Sequence, residues 1–531
     1  MKWQSRFAYG EELYLQKGIR LFASVLSAAI SGMEVCPVQV EADVSSGLPC
    51  FTMVGFPSTQ VKEAQDRVRT ALKNNGISLP PKKVTVNLAP ADLRKEGAGF
   101  DLPVAAAVLA ASGFIEPQLL RNVMVVGELS LNGEVRSVSG VLPRVIRARE
   151  LGCRYCIIPF ENLAEGALVK DMKVVGVQNI KEVLKLVSDP DAFGKENQFS
   201  EVNSEENQVE ESLVDFGEIC GQESARRAAE IAVSGFHNIL FIGPPGTGKT
   251  MLAKRIPTIM PSLTFEESLE LTKIYSIAGL LSPKRPLIKA RPFRSPHHTS
   301  SSAALAGGGR IPGPGEVTLA HRGVLFLDEM PEFARGSLEV LRQPLEDKQI
   351  QLSRASGTYV FPAGFILVAA MNPCPCGYYP DMNKCRCTPG EVSHYLHKLS
   401  QPLLERIDLC ADVPPVNFSQ ISEEKSGESS ALIRKRVEKA RKIQQKRYQN
   451  EKICFNGELS GKQIRKYCVL TENAFQVAKN AFELMELSAR SYHRILKVSR
   501  TIADMEGEEL IHTRHVAEAL TYKAFDKKYR S

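Results

Sequence analysis

Long apolar runs are missing from this sequence: none reaches the roughly 18 residues of a membrane-spanning helix, and the longest candidate, residues 104–115, falls short. The first residues, MKWQSRFAYGEELYLQKG, carry charges but no apolar core of signal-peptide type. Neither an anchor nor an export leader is expected, and a cytoplasmic protein is. A surplus of one charge is also lacking, since 67 Lys and Arg stand against 60 Asp and Glu for a formal net charge of +7. Nucleic acid is thereby permitted as a partner without being demanded. No repeat of fixed period occurs, which argues against a solenoid. What is present suits a globular enzyme: 43% hydrophobic and 24% charged residues exclude collagenous, coiled-coil and wholly disordered classes. At 531 residues the chain exceeds what one hydrophobic core usually serves, so two or three domains are expected. Twelve cysteines without an export signal are expected as reduced thiols, with metal ligation rather than disulfides as their special use.

Residues 1–187 read as a mixed α/β domain, with strand-like runs at 36–44, 84–88, 123–128 and 156–159 and helical patterns at 61–74 and 102–111. Residues 188–213 are acidic and poor in apolar groups, and read as a flexible linker. Residues 214–412 read as a second α/β domain in which a short strand at 238–242 runs into a glycine-rich loop. From 413 to 531 the composition turns helical, with a Lys/Arg-rich segment at 431–452 and further patterns at 472–487, 491–505 and 513–524.

The string GPPGTGKT, comprising Gly243, Pro244, Pro245, Gly246, Thr247, Gly248, Lys249 and Thr250, matches the phosphate-binding P-loop and precedes a helical run at 251–259. Its glycines let backbone N–H groups approach phosphate oxygens, Lys249 supplies charge for the terminal phosphates, and Thr250 offers a hydroxyl to Mg²⁺. ATP and Mg²⁺ are the implied cofactors. The apolar strand VLFLDE ends in Asp328 and Glu329, placed to hold the Mg²⁺ shell and to polarise the attacking water. A third apolar strand at 365–370 leads to Asn372, whose amide can orient that water. Arg406, in LLERIDL, is placed to reach the phosphate bound by a neighbouring subunit; the alternative is an intrachain ion pair with Glu405 or Asp408.

GPPGTGKT, VLFLDE, AAMNPCPCG and PLLERIDL, with GQESARRAAEIAVSGFHN at 221–238 and RPFRSPHHTSS at 291–301, resemble the Mg-chelatase-like AAA+ proteins and most closely their ComM/YifB group. The resemblance spans nearly the whole chain. It implies a P-loop AAA+ domain with a central parallel sheet and a C-terminal helical lid, with Walker A, Walker B, sensor 1 and arginine-finger roles for the four strings. It also implies a sensor 2 arginine in SARSYHRILKVSRTIAD, at Arg490 or, one helical turn on, Arg494. Residues 87–111 and 126–159 look like the proteolytic domain of Lon proteases, but the nucleophile position falls near Gly99 to Asp101 and the lysine position on Leu142. A serine nucleophile needs a base beside it, so the expected fold there is Lon-like without peptidase activity. Arg94, Lys95, Arg136, Arg144 and Arg147 are candidates for a DNA path or for an ordinary solvated surface.

Two C-x-C pairs, Cys374 with Cys376 and Cys385 with Cys387, suit a tetrahedral structural Zn²⁺ site, free thiols or redox-labile cysteines being the alternative. His394 and His397 are substitute ligands or surface residues. Residues 350–361 read as a hairpin that offers Arg354 to a phosphate backbone, or as a plain structural hairpin. The basic residues Arg434, Lys435, Arg436, Lys439, Arg441 and Lys442 read as a solvated helix face, a DNA-contacting stripe being the alternative.

The expected function is an ATP-hydrolysing ring on single-stranded or branched DNA. For the ComM group the resemblance implies a hexamer promoting branch migration in natural transformation, with recombination proteins as further partners. A chelatase-like motor on a protein client and a nucleotide-dependent scaffold are the alternatives.

Overall fold

A computed structural model describes residues 21–188, 214–309, 312–354, 357–416, 427–451 and 453–523. The stretch read as a linker lies, from 189 onward, outside them. Contacts divide the chain into two units, one of Met1–Glu206 with Thr272–Ile288 and one of Asn207–Leu271 with Lys289–Ser531.

The first unit carries strands β1 (Leu21–Ser31), β2 (Glu34–Ser45), β3 (Cys50–Val54), β4 (Lys83–Ala89), β5 (Val123–Val125), β6 (Glu128–Leu129), β7 (Val135–Arg136), β8 (Tyr155–Pro159) and β9 (Val174–Val177). Seven of them form one sheet in the order β3-β4-β2-β1-β5-β8-β9, with β6 and β7 pairing separately. β1 and β2 are antiparallel from Leu21↔Val44 to Ser31↔Glu34, whereas β5, β8 and β9 run parallel. The helix Asp101–Ala111 is buried at every position. Its sequence, DLPVAAAVLAA, is apolar all round, as a fully enclosed helix requires. The Thr272–Ile288 segment joins this unit through Ser276, which donates to Glu165 and accepts from the Gly140 N–H.

The second unit is built on β10 (Ile239–Ile242), β11 (Phe293–Arg294), β12 (Val324–Leu327), β13 (Gln349–Arg354), β14 (Gly357–Pro362), β15 (Ile366–Met371) and β16 (Leu409–Asp412). Five form an all-parallel sheet in the order β11-β12-β15-β10-β16. ILFI, VLFL and ILVAAM are buried throughout, as expected for strands covered on both faces. Ile242 pairs with Met371 and with Asp412, and Leu327 with Ala369. Gly243, Asp328 and Asn372 therefore leave the sheet along one edge.

Helices Ser430–Tyr448, Gly461–Tyr467, Glu472–Leu484, Ala489–Glu506 and Thr513–Thr521 follow. Ile433, Val437, Ile495 and Ile502 share one core with Phe236, Leu252 and Ile256. Each such buried side chain contributes about 1.5–3 kcal/mol. The Lys/Arg-rich helix is divided by residue type. Arg434 donates to the Thr258 carbonyl at 2.9 Å, Arg436 to Glu230 at 2.6 Å and Arg441 to Glu267 at 2.9 Å, while Lys435, Lys439 and Lys442 are exposed. The planar guanidinium forks fix the helix to the rest of the unit, and the more strongly hydrated lysines face water. Asp504, fully buried, binds Arg447 at 2.8 Å, Arg500 at 3.0 Å and Asn456 at 2.8 Å. Asp504→Ala strands two guanidiniums and is expected to cost about 3–5 kcal/mol, read as a lowered thermal midpoint; an unchanged melting curve would show this cluster to be dispensable.

Candidate nucleotide site

Loop 243–248 is shaped by glycine. Gly246 and Gly248 have φ of +76° and +90°, a region costly for other L-residues, and a Cβ on Gly243 would lie 2.1 Å from the Val413 carbonyl. The helix Lys249–Ile259 begins directly at the loop. Lys249 Nζ donates to the carbonyls of Gly243 and Pro244, each at 2.7 Å, and to Asn372 Oδ1 at 3.1 Å. Burial pulls its ammonium below the ordinary lysine range, while Asp328 and Glu329 pull it back. Thr250 Oγ1 donates to Asp328 Oδ2 at 2.8 Å. The loop, the two carboxylates and the amide are thus brought together by three strand ends, with the donors and acceptors that MgATP requires.

Glu329 stands apart from Asp328. Its backbone is left-handed, with φ +49° and ψ +47°, at a cost of about 1–2 kcal/mol for a residue with a Cβ. Its side chain is 62% exposed and lies 4.0 Å from His298 Nδ1. A free carboxylate there can accept a proton from water, whereas Asp328 is already engaged by Thr250. Beside it a cleft of about 550 Å³ is lined by Glu329, Glu332, Asn372, His394, Tyr395 and Lys398. The sequence singled out neither His298 nor Glu332 as site residues; the His-His pair in RPFRSPHHTSS was the available signal.

Arg406 and Arg490 are not part of this group. Arg406 precedes β16, and its carbonyl accepts from Asn238 Nδ2 at 2.9 Å, at the start of β10. It therefore lies at the sheet edge opposite the glycine-rich loop, about 16 Å away along five extended residues. Its guanidinium binds Glu346 and the Pro402 carbonyl, and Glu346 also takes Arg490 at 3.2 Å. The intrachain partner is thus Glu346 rather than Glu405 or Asp408. Arg490 lies 3.6 Å from Glu405, and Arg494 pairs with Asp408 at 3.5 Å.

β13 and β14 form the expected hairpin, with Arg354 exposed opposite Gly357; residues 355 and 356 lie outside the described residues. In the first unit the proposed basic path loses two members. Lys95 is fully buried, donating to the carbonyls of Gly55 and Pro90, and buried Arg144 donates to those of Ala28 and Ser139. Arg94 and Arg147 are paired with Glu96 and Glu150 at 2.8 Å, and Arg136 is exposed. Asp101 is held by Arg67 at 2.7 and 2.9 Å, and Leu142 is buried.

The Sγ atoms of Cys374, Cys376, Cys385 and Cys387 all lie within 4.8 Å of one another. The Gly377 and Tyr379 N–H groups donate to Cys374 Sγ at 3.2 and 3.4 Å, and the Tyr378 N–H helps pull the Cys376 thiol down to about 6. His397 instead engages the Ser393 carbonyl at 2.6 Å, and His394 lines the cleft.

Residues 215–421 match the model of magnesium chelatase subunit ChlI, 40–162 that of subunit ChlI of Mg-chelatase, and 427–523 that of its C-terminal region. The competence protein ComM of Haemophilus influenzae is 44% identical over 506 residues, covering 94% of this chain and 97% of that protein. The chain belongs to the ComM/YifB family. YifB of Escherichia coli is 43% identical over 504 residues, 95% of this chain and 97% of its own. The DNA repair protein RadA of Listeria monocytogenes is 30% identical over 185 residues, 33% of this chain and 38% of its own. This ComM/YifB member thus has the Mg-chelatase-like AAA+ framework around its P-loop. Among the described residues no helix is long and apolar enough to cross a membrane. Glu329→Gln is expected to bind ATP with affinity within about threefold of the unaltered chain and to lose hydrolysis by about 10² or more, measured by equilibrium binding and single-turnover kinetics; retained turnover would move the base elsewhere.

Proposed function

We propose that this chain is an ATP-driven ring motor acting on DNA, in which each subunit completes its neighbour's nucleotide site. One observation carries the reading: Lys249, Thr250, Asp328 and Asn372 meet at one edge of the parallel sheet, while Arg406 lies at the other. An arginine so placed serves a phosphate only on a second copy. In the proposed cycle Lys249 and the loop N–H groups bind the phosphates, Thr250 and Asp328 hold Mg²⁺, and Glu329 and Asn372 handle the attacking water. The neighbour's Arg406 neutralises the charge that develops, and Arg490, sharing Glu346 with it, acts as sensor 2 from the same side. The ring is read as a hexamer, the C-terminal helices as its lid and the first unit as a Lon-like domain without a peptidase pair. The four cysteines are read as a structural Zn²⁺ site.

DNA as the track is supported by the names of the similar proteins, which concern competence and DNA repair, and by the exposed Arg354 on its hairpin. Branch migration during transformation is the finer form of this reading. A chelatase-like motor on a protein client is favoured by the ChlI matches, and is separated from it by one assay. ATP turnover is expected to rise with single-stranded or branched DNA and to fall with added salt. Turnover indifferent to every DNA would turn the reading to a protein client. Arg406→Ala is expected to keep ATP binding and to lose about 10³-fold in turnover; mixing it with a Lys249→Ala chain is expected to restore part of the loss, and undiminished turnover by the mutant ring would discard the assignment.

A further inference from the structure

The four-cysteine knot lies directly against the phosphate-binding loop. Gly377, the residue after Cys376, has φ of +87°, and a Cβ there would lie 2.5 Å from Pro245 Cδ. The close approach requires both glycine's missing side chain and its left-handed backbone. On its other side the knot begins two residues after Asn372, whose Oδ1 accepts from Lys249 at 3.1 Å. The knot thus touches the nucleotide site twice: through packing on Pro245 and through the backbone leading to Asn372.

The cysteines are arranged to take a metal. The Sγ atoms are 3.3 Å apart for Cys374 and Cys376, 3.8 Å for Cys374 and Cys385, and 3.6 Å for Cys376 and Cys385. Four thiolates about 2.3 Å from a tetrahedral Zn²⁺ would stand about 3.8 Å from each other. The N–H groups of Gly377 and Tyr379 donate to Cys374 Sγ, as outer-shell donors do to metal-bound thiolates. Gly377 therefore has two tasks: its N–H serves a ligand sulfur, and its Cα face receives Pro245.

We infer that Zn²⁺ bound by Cys374, Cys376, Cys385 and Cys387 braces the phosphate-binding loop through the Gly377–Pro245 contact, so that metal occupancy sets nucleotide affinity. The inference rests on the zinc site read above and adds to it a positioning task. Without the metal, the segment from Cys374 to Cys387 loses the bonds that would tie its two C-x-C pairs together. Gly377 then no longer presses on Pro245 from a fixed place, and the loop loses a wall. The metal takes no part in phosphate chemistry; it acts through the loop and through the placement of Asn372.

The test uses the full chain purified without chelator. Elemental analysis is expected to give one zinc per chain; iron, or no metal in that amount, would overturn the inference. Affinity for a fluorescent ATP analogue is then measured in excess Mg²⁺, after a zinc-selective chelator, and after Zn²⁺ is returned. A fall of about tenfold, recovered with Zn²⁺, is expected, the size of a modest packing loss. Affinity that ignores zinc removal, or does not return with Zn²⁺, would overturn the inference. Gly377→Ala separates the brace from the metal, since it is expected to keep zinc and still bind the analogue about tenfold more weakly; unchanged affinity there would count against the contact. DNA is absent from every arm, so a failure of the DNA-motor reading leaves these outcomes intact, and the converse holds.

Discussion

The parallel register of three buried strands is the constraint on which the second unit depends. Because β10, β12 and β15 are paired so that Ile242 meets Met371 and Leu327 meets Ala369, the residues that follow each strand emerge at one edge. A shift of one residue in any of these ladders would turn its side chains to the opposite face. Thr250 would no longer meet Asp328, nor Lys249 the Asn372 amide. Asn238 fixes the other end of the same ladders. Its N–H donates to Asp408, its Nδ2 to the Arg406 carbonyl, and its Oδ1 accepts from Leu367 N–H at 2.9 Å.

The two edges have different chemistry. At the loop edge the charges are arranged around a lysine whose ammonium is satisfied by carbonyls and an amide, and around carboxylates, one bound by Thr250 and one exposed beside His298. At the opposite edge Arg406, Arg490 and Arg494 meet Glu346, Glu405 and Asp408, and Glu346 serves two of them. An exposed carboxylate here holds two guanidiniums, that of buried Arg406 and that of exposed Arg490, at the modest strength of a partly solvated pair. The separation follows from strand direction alone: a residue before a parallel strand and one after it cannot share an edge.

Much of this was legible in the residue order. The strings GPPGTGKT, VLFLDE and ILVAAMN announce themselves because strands covered on both faces are continuous apolar runs, and a carboxylate or amide ending such a run has no packing reason to be there. β1 was not legible: LFASVLSAAIS is rich in Ala and Ser, which have weak strand preference, and pairing along the whole length of β2 decides its state. The basic candidates of the first unit misled for a related reason. Lys95 and Arg144 look like surface charges in sequence, yet both are buried and donate to backbone carbonyls.

By itself the sequence determined the chemistry: a phosphate loop, two carboxylates after an apolar strand, an amide after another, four thiols within fourteen residues and a family likeness along nearly the whole chain. These are local patterns, set by neighbours a few residues apart. Only the tertiary structure decided the long-range partners. It brought Glu346 to Arg406 across 60 residues and to Arg490 across 144, His298 to Glu329, Gly377 to Pro245, and the segment Thr272–Ile288 into the first unit. No spacing rule reaches over such distances, because packing and strand register, not sequence separation, set which side chains meet.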